Sequence, residues 1–168
     1  MRHRRHLLKV LLLSSALLPC SPGIAMKSDA SKPYHITSDA ATFHRETSEA
    51  EFFGHVYSEH GTSKTWSHYA KGFGSKSGQI HKIILTGTPA KYVTITDDNH
   101  VPLTATADTI IDYPLSNTVY LQGNAVAHHG TESIEGDKIW YDKIKGSIKS
   151  VATASKPTKT VFLTHGKR

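Results

Sequence analysis

The chain repeats itself, and that constrains its fold more than any other feature. Slid along itself by 69 positions, Asp39 meets Asp108, Gly54 meets Gly123, and Gly61-Thr62 meets Gly130-Thr131. After one deleted residue the offset becomes 68, where Gly78 and Ile80 meet Gly146 and Ile148, Pro89 meets Pro157, and Val93 meets Val161. Two copies of one unit therefore run end to end. A unit of about 65 residues with one apolar face per strand cannot cover that face alone, so the copies must stack or fold over each other.

The unit is built of strands. Between Pro33 and Thr164 there are 18 Thr against five Leu, with many Val, Ile and Tyr among them, a strand-forming composition. Tyr34-His-Ile-Thr37, Tyr92-Val-Thr-Ile-Thr96, Val119-Tyr-Leu-Gln122 and Lys159-Thr-Val-Phe-Leu163 alternate with period two. No stretch keeps a helical apolar period for three turns. Gly, Asn, Asp and Ser punctuate the runs at hairpin spacing, at Gly54-His55, Gly61, Ser77-Gly78, Asp97-Asp98-Asn99, Gly123-Asn124, Gly130 and Gly146. The pattern predicts an all-β protein of many short antiparallel strands.

The first 25 residues stand apart. Arg2, Arg4, Arg5 and Lys9 precede the almost wholly apolar run Val10 to Leu18, and Gly23-Ile24-Ala25 supplies a small-x-small cleavage site. This is the pattern of a cleaved signal peptide spanning 1–25. Cys20 invites a lipoprotein reading, against which Pro19 just before it argues; as the sole Cys it leaves the exported fold without an internal disulfide. Losing the four basic residues of this segment brings the formal charge from +6 to +2. The remaining cations are scattered among acids, so no clustered basic face for nucleic acid remains.

The polar residues raise three chemical possibilities. Ten His remain after the signal segment; His128-His129 could meet His55 and His60 across the repeat turns, and positions 59–60 and 128–129 fall at equivalent turns of the repeat. No carboxylate or Cys accompanies them at a recognised metal-ligand spacing, which favours solvated turns over a metal site. Asp39 and Asp108 form a repeat-related carboxylate pair, but both precede apolar strands in turn-like contexts. No nucleophile elbow or Gly-rich phosphate loop is present, so neither an enzyme nor a cofactor is expected.

Four segments carry a family resemblance: Pro33-Tyr-His-Ile-Thr-Ser-Asp39, Phe53-Gly-His-Val-Tyr57, Gly87-Thr-Pro-Ala90, and Val119-Tyr-Leu-Gln-Gly-Asn-Ala125 followed by Ile134-Glu-Gly-Asp-Lys-Ile-Trp-Tyr141. In that order and spacing the chain resembles the LptA/OstA-like family of periplasmic lipopolysaccharide transport proteins, over residues 33 to 164. The resemblance implies a domain over 33–164, a twisted open β-jellyroll, between a flexible 26–32 and a tail at 165–168. It further implies a periplasmic carrier of lipopolysaccharide between an inner-membrane Lpt complex, through an LptC-like component, and an outer-membrane, LptD-like assembly protein. Units of such a carrier join head to tail through their sheet edges. A membrane-anchored relative in the same pathway and a small β-sandwich glycan-binding protein are the alternative expectations.

The residues suggest a physical logic that agrees. Exposing an acyl chain to water costs about 0.8 kcal/mol per methylene, so a carrier needs continuous apolar cover. By alternation the inward candidates are Tyr34, Ile36, Ile83, Leu85, Tyr92, Tyr113, Leu115, Val119 and Leu121. The resemblance favours Tyr34, Ile36, Tyr92, Tyr113 and Leu115 as lipid contacts; an ordinary core role is the competing reading for each. Tyr34, Tyr92 and Tyr113 are expected at the mouth of the groove, where a ring covers apolar chain and a hydroxyl stays wet. Lys71, Lys76 and Lys82 surround the Gly78 turn as a candidate cationic lip for phosphate.

Overall fold

The computed structural model describes residue 29 and residues 32–96, 101–153 and 157–162. The expected signal segment and the 165–168 tail lie outside the described residues. Ten strands form a single antiparallel sheet: β1 (Tyr34–Thr37), β2 (Ala40–His44), β3 (Glu49–His60), β4 (Ser63–Gly74), β5 (Ile80–Ile95), β6 (Pro102–Tyr113), β7 (Thr118–His129), β8 (Glu132–Asp142), β9 (Ser147–Val151) and β10 (Lys159–Phe162). A 3-10 turn at Pro114–Ser116 follows β6. The central strands run in sequence order from β3 to β8. At one edge β1 and β2 both pair with β3, and at the other β9 and β10 both pair with β8.

The sequence repeat maps onto this order strand by strand. At the offset of 69, β3 becomes β7 and β4 becomes β8, while the broken pair β1 and β2 becomes the continuous strand β6. At the offset of 68, continuous β5 becomes the broken pair β9 and β10. Each unit is thus a four-strand meander, and the strand facing the outside of the molecule is the broken one in both. The junction between units is the β5–β6 ladder, which pairs Ile83 with Asp112 at one end and Ile95 with Pro102 at the other.

The strands are longer than the sequence runs because each run is half a strand. All five ladders from β3 to β8 shift register near their middles, between Phe53/Val56, Trp66/Tyr69, Thr86/Ala90, Thr106/Thr109 and Gln122/Ala125. Bulges bend a strand and increase its twist, and here they line up across the sheet into one crease. In β3 and β7 the extra residues are Gly54-His55 and Gly123-Asn124, all four in the left-handed region. A β-carbon on Gly123 would stand 2.5 Å from the Asp108 carboxylate, so the position admits only glycine. Asp39 and Asp108 fasten these bulges: His55 Nδ1 lies 2.7 Å from Asp39 Oδ2, and Asn124 Nδ2 donates to Asp108 Oδ2 at 3.0 Å.

Folding at the crease brings the two halves of the sheet face to face, and the core lies between them. On one side of the crease the inward residues of the second unit are mostly small, Ala105, Ala107, Ala125 and Ala127 beside Leu103; on the other they are large, Ile110, Val119, Leu121 and Ile139. All are essentially inaccessible. Small against large allows close approach of the layers in this half of the jellyroll.

Candidate functional site

The first unit packs differently. Between its layers an apolar cavity of about 610 Å³ is walled by Ile36, Phe52, Ala70, Ile80, Ile83 and Leu85. Its rim carries Phe43, His44, Arg45 and Lys76 from the β2–β3 and β4–β5 hairpins. Inward positions Gly72 and Gly74 of β4 leave the layers without side chains to fill the gap. A second hollow of about 530 Å³ shares Tyr34, Gly78 and Ile80 with the first and opens beside Pro33, His60, Leu115 and Lys143. Volumes of this size are those of small-molecule sites, about 300–1,000 Å³.

Tyr34 stands where the two hollows meet. Its ring stacks on His60 with centroids 3.9 Å apart and planes 5° from parallel. Its hydroxyl is buried, and among the described residues nothing hydrogen-bonds to it. Burial, reinforced by the nearby charge of Asp112, pushes this phenol well above the ordinary tyrosine range, so it remains a neutral donor.

Beneath Tyr34 the trough has a polar floor. Ser58 and Thr65 share a hydrogen bond of 2.6 Å, and Ser63 lies 2.9 Å from the Tyr92 hydroxyl and 3.1 Å from Thr94 Oγ1. Lys143 Nζ donates to Asp112 Oδ1 at 2.7 Å and lies 5.7 Å from the centre of the Tyr92 ring. Burial opposes the charge on Lys143, yet Asp112 holds its ammonium above the ordinary lysine range. The unit therefore offers an apolar chamber beside a second hollow that is bordered by Lys143 of a buried ion pair.

The nine predicted positions separate into groups. Tyr34, Ile36, Ile83 and Leu85 line the first cavity, and Leu115 lines the second. Val119 and Leu121 are buried in the core cluster and line neither hollow. Tyr92, expected at the mouth, is instead wholly buried, because Ser63 takes its hydroxyl and Lys143 covers its ring. Tyr113 ends β6 half-buried and lines neither hollow. Of the three lysines, Lys76 lines the first cavity, whereas Lys71 and Lys82 sit on the outer face over Phe73, 5.3 and 5.1 Å from its centroid.

Sequence reasoning missed Phe43, Phe52 and Ile80 in the wall, Arg45 on the rim and the Asp112–Lys143 pair. Asp112 was detectable: it shares strand parity with Ile110, which places it inward. Lys143 was not, since it follows Asp142 in what reads as an ordinary polar turn. The histidines gather at no centre, and among the described residues no group of three His, Cys, Asp or Glu is placed to hold a metal ion. Among those residues, too, no helix is long and apolar enough to cross a membrane.

Comparison with known proteins agrees with this architecture. The family of LptA and LptD N-terminal-domain lipopolysaccharide transport proteins matches residues 35–147. No curated protein sequence matches the chain. Among solved structures, the chain is similar to LptH of Pseudomonas aeruginosa, the LptA-homologous periplasmic component of the conserved lipopolysaccharide transport device. The two share 21% sequence identity over 82% of this chain and 99% of that one, with a TM-score of 0.76. Two creased four-strand units around an apolar trough, matched over most of the strands by one family, place the chain in the LptA/LptD N-terminal-domain family of lipopolysaccharide transport proteins.

Proposed function

We propose that this chain is a non-enzymatic periplasmic carrier that holds the acyl part of lipopolysaccharide in the trough of its first unit and passes it along joined copies. The observation that carries the reading is the apolar cavity of about 610 Å³ lying directly against the free edge strands β1 and β2. Apolar walls remove methylenes from water at about 25 cal/mol per Å² buried, and an unpaired edge offers backbone N–H and C=O groups to a partner. A lipid held beside such an edge leaves one molecule where the next begins.

Head-to-tail growth follows from having a free edge at each end, because strand addition at unlike edges repeats from copy to copy and gives an open filament wherever its rotation does not close a ring. The terminal partners consistent with the family are an LptC-like inner-membrane component and an LptD-like outer-membrane assembly protein. Direction must enter from the inner membrane, since the sequence holds no nucleotide-binding motif.

Photo-crosslinking tests the reading. A photoreactive side chain at Ile36 or Tyr34 is expected to capture lipopolysaccharide, while one at His35 or Thr37, on the opposite parity of β1, captures little. Equal capture at both parities, or capture at His35 and Thr37 alone, overturns it.

A further inference from the structure

We infer that Arg45 and Lys76 form a phosphate-binding lip, which holds the phosphorylated head group of an anionic amphiphile while its acyl chains fill the adjoining cavity. The inference rests on the lipid-carrier reading and adds the head-group selectivity of the site. Both residues belong to the rim of the first cavity, Arg45 in the β2–β3 turn and Lys76 in the β4–β5 turn. The turns are neighbours, because Gly74 N donates to Ser48 O at 2.8 Å. The second is internally braced: Ser75 N donates to Gln79 O at 2.9 Å, and Gly78 N to Ser75 O at 2.9 Å.

Of the acids nearest these two cations, Glu49 and Glu51 on β3 are engaged, and Glu46, beside Arg45 in the turn, is exposed and does not line the cavity. Among the described residues no carboxylate lies within ion-pair distance of Arg45 or Lys76. Glu49, which also borders the cavity, is held by Lys71 at 2.9 Å. Glu51 accepts from Tyr69 at 2.7 Å and lies 3.3 Å from His44 Nε2. The rim therefore carries two cations that, among the described residues, make no ion pair, over an apolar chamber, the complement of an amphiphile with an anionic head.

The repeat sharpens the argument. The second-unit equivalent of Arg45 is Pro114, while the turn equivalent to that of Lys76 carries Lys143, which is held inward by Asp112, and Lys145, which pairs with Asp142. The arginine therefore occurs only in the unit that holds the cavity, and among the described residues only the first-unit turn presents a lysine without an ion pair. Arg presents a planar fork suited to phosphate oxygens, and Lys adds a mobile point charge.

The test compares lipid A carrying two phosphates with its dephosphorylated form, each displacing a fluorescent fatty-acid probe from the purified protein, with R45Q/K76Q beside the wild type. The wild type is expected to bind the phosphorylated lipid about tenfold or more tightly, and R45Q/K76Q to lose that preference while binding the dephosphorylated lipid unchanged. R45K/K76R is expected to keep it. Equal wild-type affinity for the two lipids, or a preference that survives in R45Q/K76Q, overturns the lip and leaves the carrier reading standing. Displacement by neither lipid overturns the carrier reading itself. Inorganic phosphate alone is expected not to displace the probe; displacement at millimolar phosphate would mark a free-anion site and overturn the head-group assignment.

Discussion

Lys143 Nζ and Asp112 Oδ1 lie 2.7 Å apart inside the jellyroll, with side chains only 8% and 6% exposed. Two ions are seldom taken out of water so completely, because desolvation consumes most of their attraction. The first unit has no such pair: Asp112 corresponds to Phe43, and Lys143 to a position in the β4–β5 turn after Gly74, both bordering the open cavity. Through Lys143 the pair in turn borders the second hollow.

Breaking it leaves an unpaired buried charge. Lys143→Met is expected to destabilise the fold by about 3–5 kcal/mol, read as a lowered urea midpoint, while Asp112→Leu combined with Lys143→Met recovers most of that loss. A single variant as stable as the wild type would show that Asp112 takes up a proton or reaches water instead.

The crease makes a second prediction by contrast. Gly54 and Gly78 both have positive φ, at 69° and 82°. A β-carbon on Gly54 meets the Asp39 carboxylate, whereas one on Gly78 meets nothing within 4 Å. Gly78→Ala should cost only the left-handed backbone strain, about 1–2 kcal/mol. Gly54→Ala should cost clearly more, because it also expels Asp39 from the bulge. Equal losses in urea unfolding would mean that Asp39 moves aside freely and does not fasten the crease.

Much of this was legible in the sequence, for a reason visible in the two aspartates. Asp39 and Asp108 stand out only when the repeat is aligned, and the repeat carries the four-strand unit with its bulges. Strand type and inward parity follow from alternation, as at Ile83, Leu85, Val119 and Leu121, all of them buried. Which buried positions border empty space does not follow. Leu85 lines a cavity and Leu121 fills a core, although their strand contexts read alike, because the difference lies in what faces them across the crease. Gly72 and Gly74 leave room in the first unit, while Ile139 and Tyr141 on the equivalent strand fill it in the second. The depth of Tyr92 was hidden for the same reason, since its cover comes from Lys143, 51 positions away.

His60 supplies a pH dependence. Burial lowers its imidazole below the ordinary histidine range; Asp112 and Asp29 oppose that shift, and Lys143 reinforces it. As pH falls below about 6.5 the unfolded chain takes up this proton before the folded one does, so the contribution of His60 becomes destabilising there and levels off beneath its folded-state value. The difference in melting temperature between wild type and His60→Gln should therefore turn against the wild type from about pH 7 to about pH 5. A difference that stays flat across this range would show that stacking on Tyr34 does not keep the ring neutral.

The last prediction concerns the joint between copies, for which the molecule contains its own template. The β5–β6 ladder joins the end of one unit to the start of the next, pairing Tyr92 with Ala105 and Val93 with Thr104. Carried through the repeat, 68 positions forward on the first strand and 69 back on the second, these become Thr160 opposite Ile36 and Val161 opposite His35 in two different molecules. Both sets lie on strands whose other side is unpaired, β10 and β1. In a Cys20→Ser background, Thr160→Cys with Ile36→Cys should therefore form intermolecular disulfides on mild oxidation and give a ladder of multimers on a non-reducing gel. Thr160→Cys with Tyr34→Cys should do so poorly, because residues two positions out of register stand about 7–8 Å apart, beyond disulfide reach. A stronger ladder from the shifted pair would mean that copies meet in another register, and the internal junction would then not be the pattern for the external one.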